Sequence, residues 1–110
     1  MFDDQKMIGV QICACICGQD GIISQREEDV IFDNFSKSMG LTKSQINSAF
    51  DDFFTSQRQI DDYLCLISEE KLRPSILDIA KTSAASDGLD VRENIALQRA
   101  VIFWGLPNAD

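Results

Sequence analysis

The chain has 110 residues, carries 18 Asp and Glu against 10 Lys and Arg, and contains no histidine. The missing histidine excludes every mechanism that needs a His ligand, a His base or a Cys-His pair. The net charge of −8 excludes a surface for nucleic acid, because binding phosphates needs clustered Lys and Arg. A hydrophobic content of 45% is enough for the core of one domain spanning residues 1–110.

The longest apolar stretch, residues 7–17, is shorter than the roughly 20 residues of a transmembrane helix. The first residues also lack the positive flank of a signal peptide. We therefore expect a cytoplasmic protein without direct membrane insertion, in which the four cysteines stay reduced. Cys13, Cys15 and Cys17 do not have the spacing of a zinc or iron–sulfur site, so we interpret them as small core residues of a helix.

The spacing of apolar residues predicts an all-α chain. We predict helices over residues 3–18, 24–39, 43–55, 59–67, 69–85 and 91–104, with a loop at 19–23. The clearest helical spacing is carried by Ile46, Ala49, Phe50, Phe53 and Phe54, and by Ile60, Tyr63, Leu64 and Ile67. The first helix resembles a buried strand, but no other segment could pair with it. Pro74 either begins the fifth helix in its first turn or kinks it.

Capping residues mark several helix ends. A cap residue stands three positions before a Glu or Gln in Ser24 with Glu27, Thr42 with Gln45 and Asp90 with Glu93. Gly40 and Gly105 stand where a left-handed residue ends a helix.

The two ends of the chain are similar to each other. Each copy has an Asp-Gly pair, a capping box, a helix and a closing Gly-Leu. The first copy contains Asp20-Gly21, Ser24, Glu27, Glu28 and Gly40-Leu41, and the second contains Asp87-Gly88, Asp90, Glu93 and Gly105-Leu106.

These motifs resemble the TerB-like family, helical domains associated with tellurite resistance whose fold also occurs at the N-terminus of a membrane-anchored DnaJ-type co-chaperone. The resemblance covers roughly residues 5–106. It implies a single-domain helical bundle of about six to seven helices built from two pseudo-repeats. It also implies an acidic patch that binds a metal cation or a partner. The second copy departs from the family pattern at Ser86, where Ala is usual, and at Asn94, where a charged residue is common.

The acids of the two motif copies are the candidate site. If the pseudo-symmetry brings the two turns together, one acidic surface would attract a divalent cation or a basic partner. The candidate metal ligands are Asp20, Glu27, Glu28, Asp87, Asp90 and Glu93. Oxygen ligands without histidine favour calcium or magnesium over zinc. An EF-hand loop does not fit, because Ile16 and Gly18 occupy ligand positions, and turn formation or helix capping also explains each acid.

We therefore expect a non-enzymatic binding or scaffold module that engages a protein partner or a divalent cation in a stress-response or multi-protein assembly. The sequence leaves a homo-oligomer open. The alternative is a small-ligand-carrying or sensor domain with an apolar cavity near the Phe50–Phe54 face. An enzyme would instead need at least three acids converging on one metal ion.

Overall fold

The computed structural model describes residues 2–20, 23–86, 88 and 91–106, and for residues 2–4 and 20 it describes the backbone alone. This part of the chain forms six α-helices and no strand, so the all-α prediction is confirmed. The helices are α1 (Phe2–Cys17), α2 (Gln25–Ser38), α3 (Lys43–Thr55), α4 (Ile60–Leu64), α5 (Leu72–Ala85) and α6 (Val91–Trp104). A 3₁₀ turn, Gly18–Asp20, follows α1. No helix within the described ranges is long and apolar enough to cross a membrane.

Helix α1 lies at the centre of the bundle and packs against each of the other five helices. Every residue from position 10 to position 17 is buried, and all but Gln11 are apolar, because a helix surrounded on all sides has no face towards solvent. This explains why the segment lacks a helical period and resembles a strand. The prediction that Cys13, Cys15 and Cys17 are core residues is confirmed.

The outer helices pack on α1 and on one another in a single bundle with a radius of gyration of 12.3 Å. Helix α5 contacts both α2 and α6, and α4 contacts α6. The indole Nε1 of Trp104 donates a hydrogen bond of 3.0 Å to the carbonyl of Leu64, which holds the end of α6 against α4. The six helices of the described residues agree with the predicted single-domain helical bundle.

The capping residues act as predicted where the structure describes them. Complete capping boxes join Ser24 to Glu27 and Thr42 to Gln45. Gly40 and Gly105 have φ values of 72° and 64°, the left-handed conformation that a helix end favours and that glycine adopts without strain. The third predicted box begins at Asp90, which lies outside the described residues.

The structure changes the predicted end of α4, the predicted start of α5 at residue 69 and the expected burial of Phe54, and it decides between the two alternatives for Pro74. Helix α4 ends at Leu64 instead of residue 67, and Ile67 stays buried in the turn that follows. The carbonyl of Ile67 accepts hydrogen bonds of 3.1 and 2.8 Å from the guanidinium of Arg73. Pro74 is the third residue of α5, so it lies in the first turn, where its missing N–H costs nothing. Phe54 was expected on the buried face of α3 but is 64% exposed.

Candidate functional site

The first motif copy builds a compact helix start around Glu27. The backbone N–H of Ser24 donates to Glu27 Oε1 at 2.9 Å, and the N–H of Glu27 donates to Ser24 Oγ at 3.1 Å. These two bonds satisfy donors at the N-terminus of α2 that have no partner within the helix. Glu27 is only 3% exposed, so its carboxylate is part of the interior.

Glu93, the equivalent residue in the second copy, is also buried, at 2% exposure in the first turn of α6. Both carboxylates lie near the thiol of Cys17, the last residue of α1. Burial raises the pKa of Cys17, and the charges of Cys13, Glu27 and Glu93 raise it further, as does a hydrogen bond to Glu27. The structure thus brings the two motif glutamates to one thiol between α1, α2 and α6.

This convergence corrects the predicted acidic surface. Glu27 and Glu93 lie inside the protein and cannot contribute to a surface, since each faces the packed end of α1. Glu28 is half-buried at the N-terminus of α2. The side chain of Asp20 and all of Asp87 and Asp90 lie outside the described residues.

The described residues contain no group of three or more Cys, Asp or Glu side chains that could hold a metal ion. The predicted calcium or magnesium site therefore depends on Asp20, Asp87 and Asp90. It stays a prediction.

An ion pair with two hydrogen bonds joins α4 to α6, and the sequence analysis did not predict it. The guanidinium of Arg99 donates from Nε and Nη2 to the two oxygens of Asp61, each at 2.9 Å. These hydrogen bonds and the charge of Arg99 hold the pKa of Asp61 below its ordinary value. Nothing in the local sequence indicates this pair, because Arg99 lies 38 residues from Asp61 along the chain.

The outer face of α6 carries apolar side chains that no part of the described structure covers. Val91, Ile95 and Ile102 are 74%, 60% and 78% exposed. At 100° per residue they fall within about 40° of one another around the helix, and we call these three residues the apolar stripe. The opposite face of α6 buries Ala100 and Trp104.

The apolar stripe was also missed in the sequence, although its signal is present there. Val91, Ile95 and Ile102 follow one helical face, while the core residues of α6 follow the other. Large apolar side chains on both faces blur the helical period. The stripe could have been predicted from a second set of apolar positions at helical spacing, on the face opposite to the core residues.

A pocket beside Phe32, the ring that stacks on Phe50, differs from the expected apolar cavity. It has a volume of about 250 Å³ and is lined by Asp29, Phe32, Asp33, Ser36 and Lys43. Phe32 stacks on Phe50 at a centroid distance of 5.5 Å. The wall is thus one aromatic ring surrounded by polar and charged groups, and the hypothesis of a ligand-carrying domain stays a prediction.

The burial of the cysteines gives a direct test of the structure by thiol labelling. Burial raises the pKa values of Cys13, Cys15 and Cys17, and because the thiolate is the nucleophile, these thiols should be unreactive in the folded protein. Cys65 is exposed. We expect iodoacetamide at pH 8 to label Cys65 first, and the other three more than about a hundredfold more slowly. Mass spectrometry after timed quenching measures this, and rapid labelling of Cys17 would contradict the structure.

We compared the chain with protein-family models, with curated proteins and with solved structures, and found no match in any of the three.

Proposed function

We propose that this chain is a TerB-like binding module that acts without catalysis and engages a basic, amphipathic helix of a protein partner. The apolar stripe on α6 is the observation that carries this proposal. A protein partner was also expected from the sequence, but its main contact is here the outer face of α6 and not the acidic motif residues.

The internal pseudo-symmetry is supported by the positions of the motif glutamates. Glu27 and Glu93 occur at the same place in the two copies, each in the first turn of its helix. Both are buried and both act on the Cys17 thiol. Two pseudo-repeats that pack around the end of α1 would place equivalent residues in this way.

The stripe has the geometry of a helix-binding surface. Its residues have the i, i+4 and i+11 spacing that lets one helix lie along another. Monomeric proteins expose single apolar residues often, but aligned large ones usually mark a contact site. Four of the six exposed large apolar residues in the described structure belong to α6. They are the three stripe residues and Phe103, which is 46% exposed but lies outside the stripe.

The charge of the chain defines the chemistry of the partner. A net charge of −8 attracts basic partners over distance and repels acidic ones. The polar residue between Ile95 and Ile102 on this face is Gln98, which carries no charge. A helix with one leucine-rich face and lysines on the others would bury the stripe and be attracted by the net negative charge of the chain.

A pair of synthetic helices tests the proposal. The first is an 18-residue amphipathic peptide of Leu and Lys, and the second has the same pattern with Glu in place of Lys. We expect fluorescence polarisation to show binding of the Lys peptide, weakening as salt rises, and no binding of the Glu peptide. Ile95→Glu and Ile102→Glu should each weaken binding about tenfold or more, because each places a charge in the apolar contact.

Phe54→Glu is the matched control, since it adds the same charge at another exposed apolar residue. Equal weakening by Phe54→Glu and Ile102→Glu would contradict the proposal, because the loss of binding would then not depend on the apolar stripe. Analytical sedimentation of the free protein tests whether the stripe instead binds a second copy of the chain. A dimer that Ile102→Glu dissociates would assign the stripe to a second copy of the chain and overturn the proposal.

A further inference from the structure

A polar pocket of about 260 Å³ lies between α1, α3 and α4, away from the apolar stripe. Its polar lining consists of Gln11, Asp52, Thr55, Ser56, Arg58 and Tyr63. Ile8 is the one large aliphatic side chain in the wall. A pocket with this lining suits a polar molecule.

Two polar atoms at this pocket are buried without a partner. The Oε1 atom of Gln11 and the hydroxyl of Tyr63 make no hydrogen bond within the described structure. Gln11 is 6% exposed and Tyr63 is 1% exposed, and the Nε2 group of Gln11 is already used by the carbonyl of Ala49 at 3.1 Å. Buried polar groups are nearly always paired, because leaving one unpaired costs stability. Gln11 and Tyr63 both line the pocket, so the missing partners would come from a molecule held there.

The remaining lining offers both donors and acceptors. The hydroxyl of Thr55 donates to the carbonyls of Asp51 and Asp52 at 3.2 Å, so its oxygen remains an acceptor. The oxygen of Ser56 accepts from the backbone N–H of Arg58 at 3.0 Å, which leaves its own hydrogen to donate. The pocket can therefore satisfy a ligand that has both kinds of group.

The two charges at the pocket are of opposite sign and both side chains are exposed. Asp52 comes from the last turn of α3, and Arg58 comes from the loop before α4. Among the described contacts no ion pair joins them. The guanidinium of Arg58 lies 5.9 Å from the centre of the Tyr63 ring, a cation–π contact that holds it over the pocket.

The size of the pocket indicates the size of the occupant. A volume of about 260 Å³ is many times the roughly 10–15 Å³ that one water molecule needs, so one bridging water would not fill it. We propose that this pocket binds a small zwitterion of the α-amino acid class. Its carboxylate pairs with Arg58 and the Tyr63 hydroxyl, and its ammonium pairs with Asp52 and Gln11 Oε1.

Calorimetric titration with glycine, serine and glutamine tests the proposal, with propionate and propylamine as probes that carry one charge each. We expect at least one amino acid to bind with a dissociation constant below about 1 mM. The two probes with a single charge should bind at least about tenfold more weakly. No heat from any amino acid up to about 10 mM would overturn the proposal and leave ordered water only in the pocket.

Variants assign the binding to this pocket. Asp52→Asn and Tyr63→Phe should each weaken the amino acid about tenfold or more, and Asp51→Asn on the same helix is the matched control that should leave it unchanged. Asp52 is exposed, so its variant tests binding without a risk to folding. Unchanged affinity in Asp52→Asn or Tyr63→Phe would overturn the proposal. Ile95→Glu should not affect this binding, so the pocket and the stripe are tested separately.

Discussion

Raising the pH from 7.5 to 10 should lower the free energy of unfolding by about 3 kcal/mol through two thiols, Cys13 and Cys17. Both are buried, and burial raises the pKa of each well above its ordinary value of about 9. Cys17 has the further effect of two neighbouring carboxylates, Glu27 and Glu93.

The direction follows from where the proton is held. Above about pH 9 the unfolded chain releases the thiol proton, while the folded chain keeps it because its pKa is raised. The folded state then binds more protons than the unfolded state, so stability is full below the ordinary pKa and falls as the pH rises. Each such thiol contributes a loss of about 1.4 kcal/mol per pH unit above that value. Since small domains have only about 5–15 kcal/mol in total, the loss is large.

Urea unfolding at pH 7.5, 9 and 10 measures this effect. Cys17→Ala should be less stable than the wild type at pH 7.5, because it leaves a small cavity, but its stability should fall about 1.4 kcal/mol less on reaching pH 10. Cys65→Ala is the matched control, because that thiol is exposed. It should follow the wild-type pH dependence. The same decrease in Cys17→Ala as in the wild type would show that the buried thiol does not contribute.

The helix ends were predictable because they depend on bonds between near neighbours. The boxes of Ser24 with Glu27 and of Thr42 with Gln45 each span three residues, and the sequence displays both partners. The end of α4 was not predictable in this way. Ile67 keeps the apolar spacing after the helix has ended, and the hydrogen bonds that hold its turn come from Arg73 in the next helix.

The candidate site was predictable only in part, because a capping box does not tell which way the helix faces. The repeat paired Glu27 with Glu93, and in the structure both carboxylates act on the thiol of Cys17. Their burial depends on α1 passing between the two helix starts, which is a property of the whole bundle. The same reason applies to Phe54, whose spacing matches the core although it lies 64% exposed at the end of α3.

A close packing contact at Gly9 was also not predictable from the sequence. Gly9 lies in the middle of α1, where glycine is normally unfavourable by about 1 kcal/mol relative to Ala. A Cβ atom there would lie 2.9 Å from Cδ1 of Ile76 and 3.2 Å from Cε1 of Phe35. Glycine at this position therefore lets α1 approach α5 and α2 closely.

A double-mutant cycle on Gly9 and Ile76 should show strong coupling. Gly9→Val should destabilise the protein by roughly 1–3 kcal/mol through overpacking, and Ile76→Ala by roughly 2–5 kcal/mol through a cavity. The double variant should be at least about 1 kcal/mol more stable than the sum of the two losses predicts, because the valine methyl groups occupy the space that Ile76 leaves.

Urea unfolding of the four proteins gives the coupling free energy, and Leu97→Ala in α6 supplies the matched control. Leu97 is a buried leucine that is not among the side chains nearest Gly9, so its loss should add to that of Gly9→Val without coupling. Additive losses for Gly9→Val and Ile76→Ala would mean that the two residues do not share the same space. That result would contradict the close approach of α1 to α5 at Gly9. It would also contradict the explanation given for a glycine inside the central helix.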